Sequence, residues 1–175
     1  MSESTYLWEK RHAVLYRTEL STLYHQKRER FFSLCDKLGN TVGVIGGSAA
    51  LASLSNPELL AWIALAITAV SAFALVVGFS DRARRHADLA KDFRQLEAAI
   101  VERGERDFTE QDVSSWDART RMLESGEPPA LGALVVLCQN ELARAQGHDG
   151  HVVHMSLAQR MLAHLFDFSV EAKAS

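Results

Sequence analysis

The stretch 38–80 constrains the fold more than any other part of the chain, because Glu58 is its only formal charge. A proline divides it into two apolar halves, residues 38–55 and 59–79. Each half is close to the ~20 residues that a helix needs to cross about 30 Å of hydrocarbon. A helix satisfies its own backbone hydrogen bonds, as lipid requires. The stretch therefore predicts a two-helix transmembrane hairpin.

A buried hairpin inside a soluble helical domain is the alternative. The second half argues against it, because from Leu59 to Val77 its residues are apolar on every side of a helix. Soluble helices normally keep a polar stripe. The first half is rich in glycine, alanine and serine and gives a weaker signal of its own.

Lysine and arginine flank the hairpin on both sides and are absent from its turn, which predicts cytoplasmic termini. These cations either fix the topology or contact anionic headgroups or a ligand. The net charge of −3 and pI near 6.2 argue against general binding of duplex nucleic acid. The flanking cations are Lys27, Arg28, Arg30, Lys37, Arg82, Arg84, Arg85, Lys91 and Arg94.

The predicted fold class is an all-α membrane protein. A long N-terminal cytoplasmic amphipathic helix occupies residues 1–37, with a frayed start over 1–5, and precedes the transmembrane hairpin. A coiled-coil-like stalk helix follows over 81–103, since apolar residues recur there at three- and four-residue steps that can pair with the first helix. A small C-terminal helical domain completes the chain over 104–175.

Three helices are expected in the C-terminal domain. Thr109 and Asp112 resemble a capping box at the start of the first. The second should begin at Pro129 and stop at Gly147, because proline suits a first helical turn. Ser156 should cap the third, with Leu157, Met161, Leu165 and Phe168 on its apolar face and a tail from residue 170 onward.

Two opposite faces distinguish the first half of the hairpin. Gly39, Gly43 and Gly47 repeat every four residues, and small residues at this spacing let helices pack closely in lipid. Hydroxyls repeat every seven residues on the other side. They either line a pore, which requires an oligomer because two helices cannot enclose one, or bond to their own helix. These hydroxyl residues are Thr41, Ser48 and Ser55.

Four basic residues lie where the second half leaves the membrane: Arg82, Arg84, Arg85 and His86. In an oligomer they could form a gate or a ring that binds phosphate. The alternative is that they only anchor the helix at the headgroups.

No catalytic motif is present, so we expect neither an enzyme nor a cofactor. His148, His151 and His154 are spaced by three, but no cysteine or carboxylate completes a zinc site, and a polar loop is the preferred interpretation. Cys35 and Cys138 match no metal or redox spacing and are expected to be reduced and inert.

The layout resembles the SLATT family of two-span effectors. The resemblance rests on an amphipathic helix that leads into two spans joined by a tight turn, and on scattered residues after it. These residues are Tyr24, His25, Arg28, Arg30, Phe31, Phe32, His86, Leu89, Phe93, Leu96, Glu127, Pro128, Pro129, Leu137, Cys138, Gln139 and Asn140.

This resemblance implies a non-enzymatic effector of antiphage defence in the bacterial inner membrane. Its copies would assemble as a homo-oligomer, with a tetramer expected, into a pore that permeabilises an infected cell. A nucleotide or oligonucleotide made by a neighbouring nucleotidyltransferase would control it. The competing hypothesis is a membrane anchor that conducts nothing and holds a cytoplasmic partner at the bilayer.

Overall fold

The computed structural model describes residues 3–168, and within that range the ordered elements are helices, with no strand. Six α-helices and one short 3-10 turn, Asp149–His151, follow in order. The prediction of an all-α chain is confirmed. The helices are α1 (Glu3–Ala52), α2 (Pro57–Val77), α3 (Phe79–Glu102), α4 (Glu110–Ser125), α5 (Gly132–Ala145) and α6 (Leu157–Leu162).

The chain divides into two compact units. The first comprises Met1–Lys27 and Ala87–Ser175, and the second comprises Arg28–His86. Each is described by itself below, and we call them the helical unit and the hairpin unit. The expected stalk and C-terminal domain thus contribute to one unit together with the start of α1.

The helical unit contains the apolar pairing that the periodicity of α3 predicts. Leu96 and Ile100 of α3 are buried against Val14 of α1, and Val113 and Trp116 of α4 complete this cluster. Burying large apolar side chains of this kind contributes about 1.5–3 kcal/mol each. The packing of α1, α3 and α4 follows directly from their apolar faces.

Helix α4 begins as predicted and is tied to α1 by one side chain. Thr109 Oγ1 accepts a hydrogen bond from the backbone N–H of Asp112, whose carboxylate accepts one from the Thr109 N–H. Arg17 of α1 donates to Asp117 at 2.8 Å and, from a second nitrogen, to Glu124 at 2.6 Å. Asp117 and Glu124 are two turns apart, so the guanidinium contacts both carboxylates within the C-terminal half of α4.

The predicted start of α5 at Pro129 is wrong. The helix begins at Gly132, with Leu131 in extended conformation as its N-cap. The Leu131 N–H donates to Tyr24 Oη at 3.1 Å, and the Gly132 N–H donates to the Asp167 carboxylate. The first N–H groups of a helix have no partner within the helix. Tyr24 and Asp167 provide partners for the N–H groups of Leu131 and Gly132, and the helix starts at this point.

The prediction for α6 is correct at its start and wrong in its apolar face. Ser156 and Gln159 form the expected capping box. The helix ends at Leu162, however, and it is Ala163 that is fully buried. Three of the four predicted face residues, Leu157, Met161 and Leu165, are exposed, and Phe168 packs on the core from beyond the helix.

The predicted frayed start of the chain overlaps the first turn of α1. Helix α1 already includes Glu3–Thr5, so a frayed start over those residues is wrong. Met1, Ser2 and the predicted tail from residue 170 lie outside the described residues.

The hairpin unit pairs the end of α1 with α2. An added Cβ at Gly46 would lie 2.6 Å from Ile67 Cγ1, and one at Gly39 would lie 3.9 Å from Ala74 Cβ. The two helices therefore run antiparallel in contact. Asn56 caps α2 by accepting from the Leu59 N–H at 3.2 Å, and Pro57 occupies the first turn.

One stretch in the described range, Pro57–Glu102, is long and apolar enough to cross a membrane, and none of its apolar window is buried. It includes α2. The end of α1 does not reach the same composition, because glycine, serine, threonine and asparagine interrupt its apolar residues.

The two cysteines should differ sharply in reactivity. Burial raises the pKa of the Cys138 thiol to about 12, so only about one thiol in ten thousand is ionised at pH 8. Cys35 is only partly buried. We expect an alkylating reagent at pH 8 to label Cys35 and leave Cys138 unmodified, as read by mass spectrometry of digested protein. Labelling in denaturant is the control, and equal native rates would contradict the prediction.

Candidate functional site

Cationic and aromatic side chains gather around Phe32 at the base of the hairpin unit. The Arg28 guanidinium carbon lies 4.4 Å from the Phe32 ring centroid, and that of Arg82 lies 5.9 Å from it. The His86 ring stacks on Phe32 at 5.6 Å, with 17° between the ring planes. We call these four residues the Phe32 cluster. Arginine over an aromatic face is a favourable cation–π contact.

The local backbone explains why Arg82 and His86 act together. Gly78 ends α2 in the left-handed conformation, at φ 64°, which glycine adopts without strain. Helix α3 starts directly after it, and Arg82 Nε donates to the Val77 carbonyl at 2.9 Å. Arg82 and His86 are one turn apart on α3, so they face the same side.

The structure thus brings together two of the four predicted gate residues. Arg82 and His86 meet at Phe32, and His86 is buried. Arg84 and Arg85 are exposed and are not in the Phe32 cluster. The sequence prediction did not include Phe32 as a site residue. The four-residue spacing of Arg28 and Phe32 on one helix was the signal that could have identified it.

The predicted pore residues are exposed, and the two on α1 bond within their own helix. Thr41 Oγ1 donates to the Lys37 carbonyl at 2.8 Å, and Ser48 Oγ donates to Val44 at 3.0 Å. Ser55 lies in the turn after α1. These bonds satisfy the hydroxyl donors and leave acceptor lone pairs open toward the surroundings.

The glycines of α1 face two directions. Gly46, which the sequence analysis did not select, is the one that closely approaches α2, while Gly39 makes only ordinary contact with Ala74. A Cβ at Gly43 or Gly47 would meet no atom within 4 Å. Gly43 and Gly47 are therefore not in contact with α2 and lie on the surface of the hairpin unit.

Most residues that carry the family resemblance in the helical unit serve the core. His25 is fully buried, stacks on Phe93 at 5.8 Å, and places Nε2 3.1 Å from a carboxylate oxygen of Glu127. Tyr24 and Cys138 belong to one apolar cluster. These residues join α1, α3 and the segment before α5, so their role in this structure is packing.

Metal ligation finds no support in the described range. Residues 3–168 contain no group of three or more histidine, cysteine, aspartate or glutamate side chains placed to hold an ion. His148 and His151 have ring centroids 5.9 Å apart, and His154 is exposed.

The chemistry available at the Phe32 cluster is anion binding. Two guanidinium groups provide planar donors suited to phosphate.

Comparison with known proteins gives no match for this chain: no family model, no curated protein and no solved structure matches it.

Proposed function

We propose that the protein is a two-span membrane effector of the bacterial inner membrane, with both termini in the cytoplasm. Its copies form a homo-oligomeric pore, and a tetramer is the assembly we expect. The observation that carries the proposal is the surface of α2, where no residue is buried although nearly all are apolar. Water strongly disfavours such a surface, whereas lipid accepts it.

Assembly is supported by the open glycines of α1. Gly43 and Gly47 leave a shallow strip against which a helix of another copy can pack. Two helices cannot enclose a channel, so conduction requires several copies. In such an assembly the opposite face of α1, with Thr41 and Ser48, lines the conducting path.

Control by a nucleotide or oligonucleotide during antiphage defence rests on the family resemblance. A permanently open pore would kill its host, so a closed state must be the resting one. The signal must then bind the open and closed forms with different affinity. The Phe32 cluster lies at the base of the hairpin unit. A signal that binds this cluster more tightly in one form than in the other can change the arrangement of the two spans.

The decisive experiment measures ion flux from liposomes that contain the purified protein, with and without nucleotides. We expect Thr41→Val to lower the flux severalfold, because valine has a similar shape but lacks the hydroxyl that faces permeating water. Thr68→Val is the matched control, since Thr68 also donates to its own helix, at Ala64, but lies on α2. Absence of flux under every nucleotide condition would overturn the pore.

A membrane anchor is the second candidate, and one observation favours it. The hydroxyl hydrogens of Thr41 and Ser48 are already satisfied within α1 and do not need a water-filled path. An anchor predicts no conductance, full function with Leu at both positions, and co-purification of a cytoplasmic partner.

A further inference from the structure

The short helix α6 of the helical unit turns its apolar side outward. Ala163, which directly follows the helix, is fully buried and packs in the core. Leu157 is 77% exposed and Met161 is 79% exposed, although both are large and apolar. A surface helix normally places its large apolar residues against the core and its small or polar residues outside. In α6 this arrangement is reversed, so its apolar side is available to another surface.

The exposed apolar residues continue beyond the last residue of α6 on the same side. The N–H groups of Leu165 and Phe166 both donate to the Leu162 carbonyl, at 2.9 Å and 3.1 Å, so the backbone keeps turning after the helix ends. Steps of one, three and four residues on such a turn bring side chains to one side. We call this surface the α6 face, and its residues are Leu157, Met161, Leu162, Leu165 and Phe166.

The charged groups of this segment suit a surface that carries negative charge. Arg160 is exposed and lies between Leu157 and Met161 in the chain. Asp167 is the one carboxylate in the sequence 152–168, and it accepts a hydrogen bond from the Gly132 N–H at 2.8 Å. An arginine can lay its aliphatic stem along apolar surface while its guanidinium reaches a phosphate. Apolar side chains edged by arginine are typical of helices that lie at the headgroup boundary of anionic bilayers.

The size of the α6 face favours lipid over a second copy of the chain. Its five side chains together expose roughly 500 Å², on a scale where one fully covered large side chain buries about 150–250 Å². A stable protein interface buries about 800 Å² on each partner. A bilayer imposes no such minimum when another part of the same chain is already inserted, because that insertion gives the face a high effective concentration at the lipid.

We propose that the α6 face docks the helical unit on the inner leaflet of the membrane. Its apolar side chains enter the boundary between headgroups and acyl chains, and Arg160 contacts lipid phosphate. The choice of lipid rests on the membrane insertion in the proposed function, and not on the pore. A single short apolar face binds a bilayer reversibly. This contact can therefore form and release while the hairpin stays inserted.

Quenching by brominated lipid tests the contact in the full-length protein. Liposomes of phosphatidylethanolamine and phosphatidylglycerol are prepared with and without bromine on the acyl chains. An environment-sensitive dye is attached at Met161→Cys in a Cys35→Ser background, and Cys138 stays unlabelled because burial raises its pKa to about 12. Met122→Cys is the matched control, since Met122 is 72% exposed on α4. We expect bromine to quench the dye severalfold more at Met161→Cys than at Met122→Cys.

Three results would overturn the proposal. They are equal quenching at the two labelled positions, no quenching at Met161→Cys, and blue-shifted emission there without quenching, which would mean that protein covers the face. Adding Leu157→Asp and Leu165→Asp should abolish the quenching at Met161→Cys, because charged side chains disfavour entry into the bilayer. Unchanged helical circular dichroism shows that this variant is folded, and persistent quenching in it would contradict the proposal.

Further variants separate this contact from the spans and test the part played by Arg160. Leu65 is 59% exposed on α2, so a dye at Leu65→Cys reports insertion of the hairpin. Quenching at Leu65→Cys without quenching at Met161→Cys overturns the α6 contact alone, and the reverse result refutes the spans and leaves a peripheral contact. Arg160→Gln should lower the quenching at Met161→Cys, whereas Arg119→Gln, which is exposed on α4, should not. Equal quenching in these two variants would refute the phosphate contact.

Discussion

Gly46→Leu is expected to force apart the two helices of the hairpin unit. Even a Cβ at this position would lie 2.6 Å and 2.8 Å from two carbons of Ile67, and leucine adds three further carbons. Overpacking of this kind costs about 1–3 kcal/mol, or a five- to hundredfold shift in the packing equilibrium. Adding Ile67→Ala should restore the packing, since it removes the atoms that clash.

A disulfide provides the readout. An added Cβ at Gly39 would lie 3.9 Å from Ala74 Cβ, close to the ~3.8 Å of disulfides. In a Cys35→Ser background, Gly39→Cys with Ala74→Cys should cross-link within one chain. Gly46→Leu should reduce that yield severalfold, and Gly43→Leu, which meets open space, should not. A parent protein that fails to cross-link would refute the packing of α1 on α2.

The double variant Gly43→Leu/Gly47→Leu is expected to abolish assembly while leaving the hairpin unit intact. Nothing lies within 4 Å of either added Cβ inside one copy. The added leucine side chains should therefore clash only with a neighbouring copy of the chain. Loss of close packing by about 1–3 kcal/mol weakens association about five- to hundredfold. Liposome flux should fall with it.

Light scattering of the detergent-solubilised protein measures this effect directly. Ala69→Leu is the control, because it adds apolar bulk at an exposed position of α2 and not on the glycine strip. If the double variant keeps the parent's mass, the glycine strip is not the surface that joins the copies.

The sequence was sufficient to predict the helices whose signals are local. The capping boxes at Thr109 and Ser156 each depend on a few neighbouring residues. The start of α5 could not be predicted in this way. It is decided by Tyr24 and Asp167, which are distant in sequence and accept the N–H groups of Leu131 and Gly132.

The candidate sites show the same division. Arg82 and His86 were selected from the sequence together with Arg84 and Arg85, because all four follow the second apolar half. The close approach at Gly46 depends on the rotation of α1 against α2, which a four-residue repeat in α1 alone does not determine.

The two ion pairs of Arg17, with Asp117 and with Glu124, also restrict how α4 can move against α1. Asp117 and Glu124 lie seven residues apart, so α4 can neither slide along α1 by a turn nor roll about its own axis without releasing one of them. Arg17 thereby adds to the registry that the apolar contacts between α1 and α4 already favour.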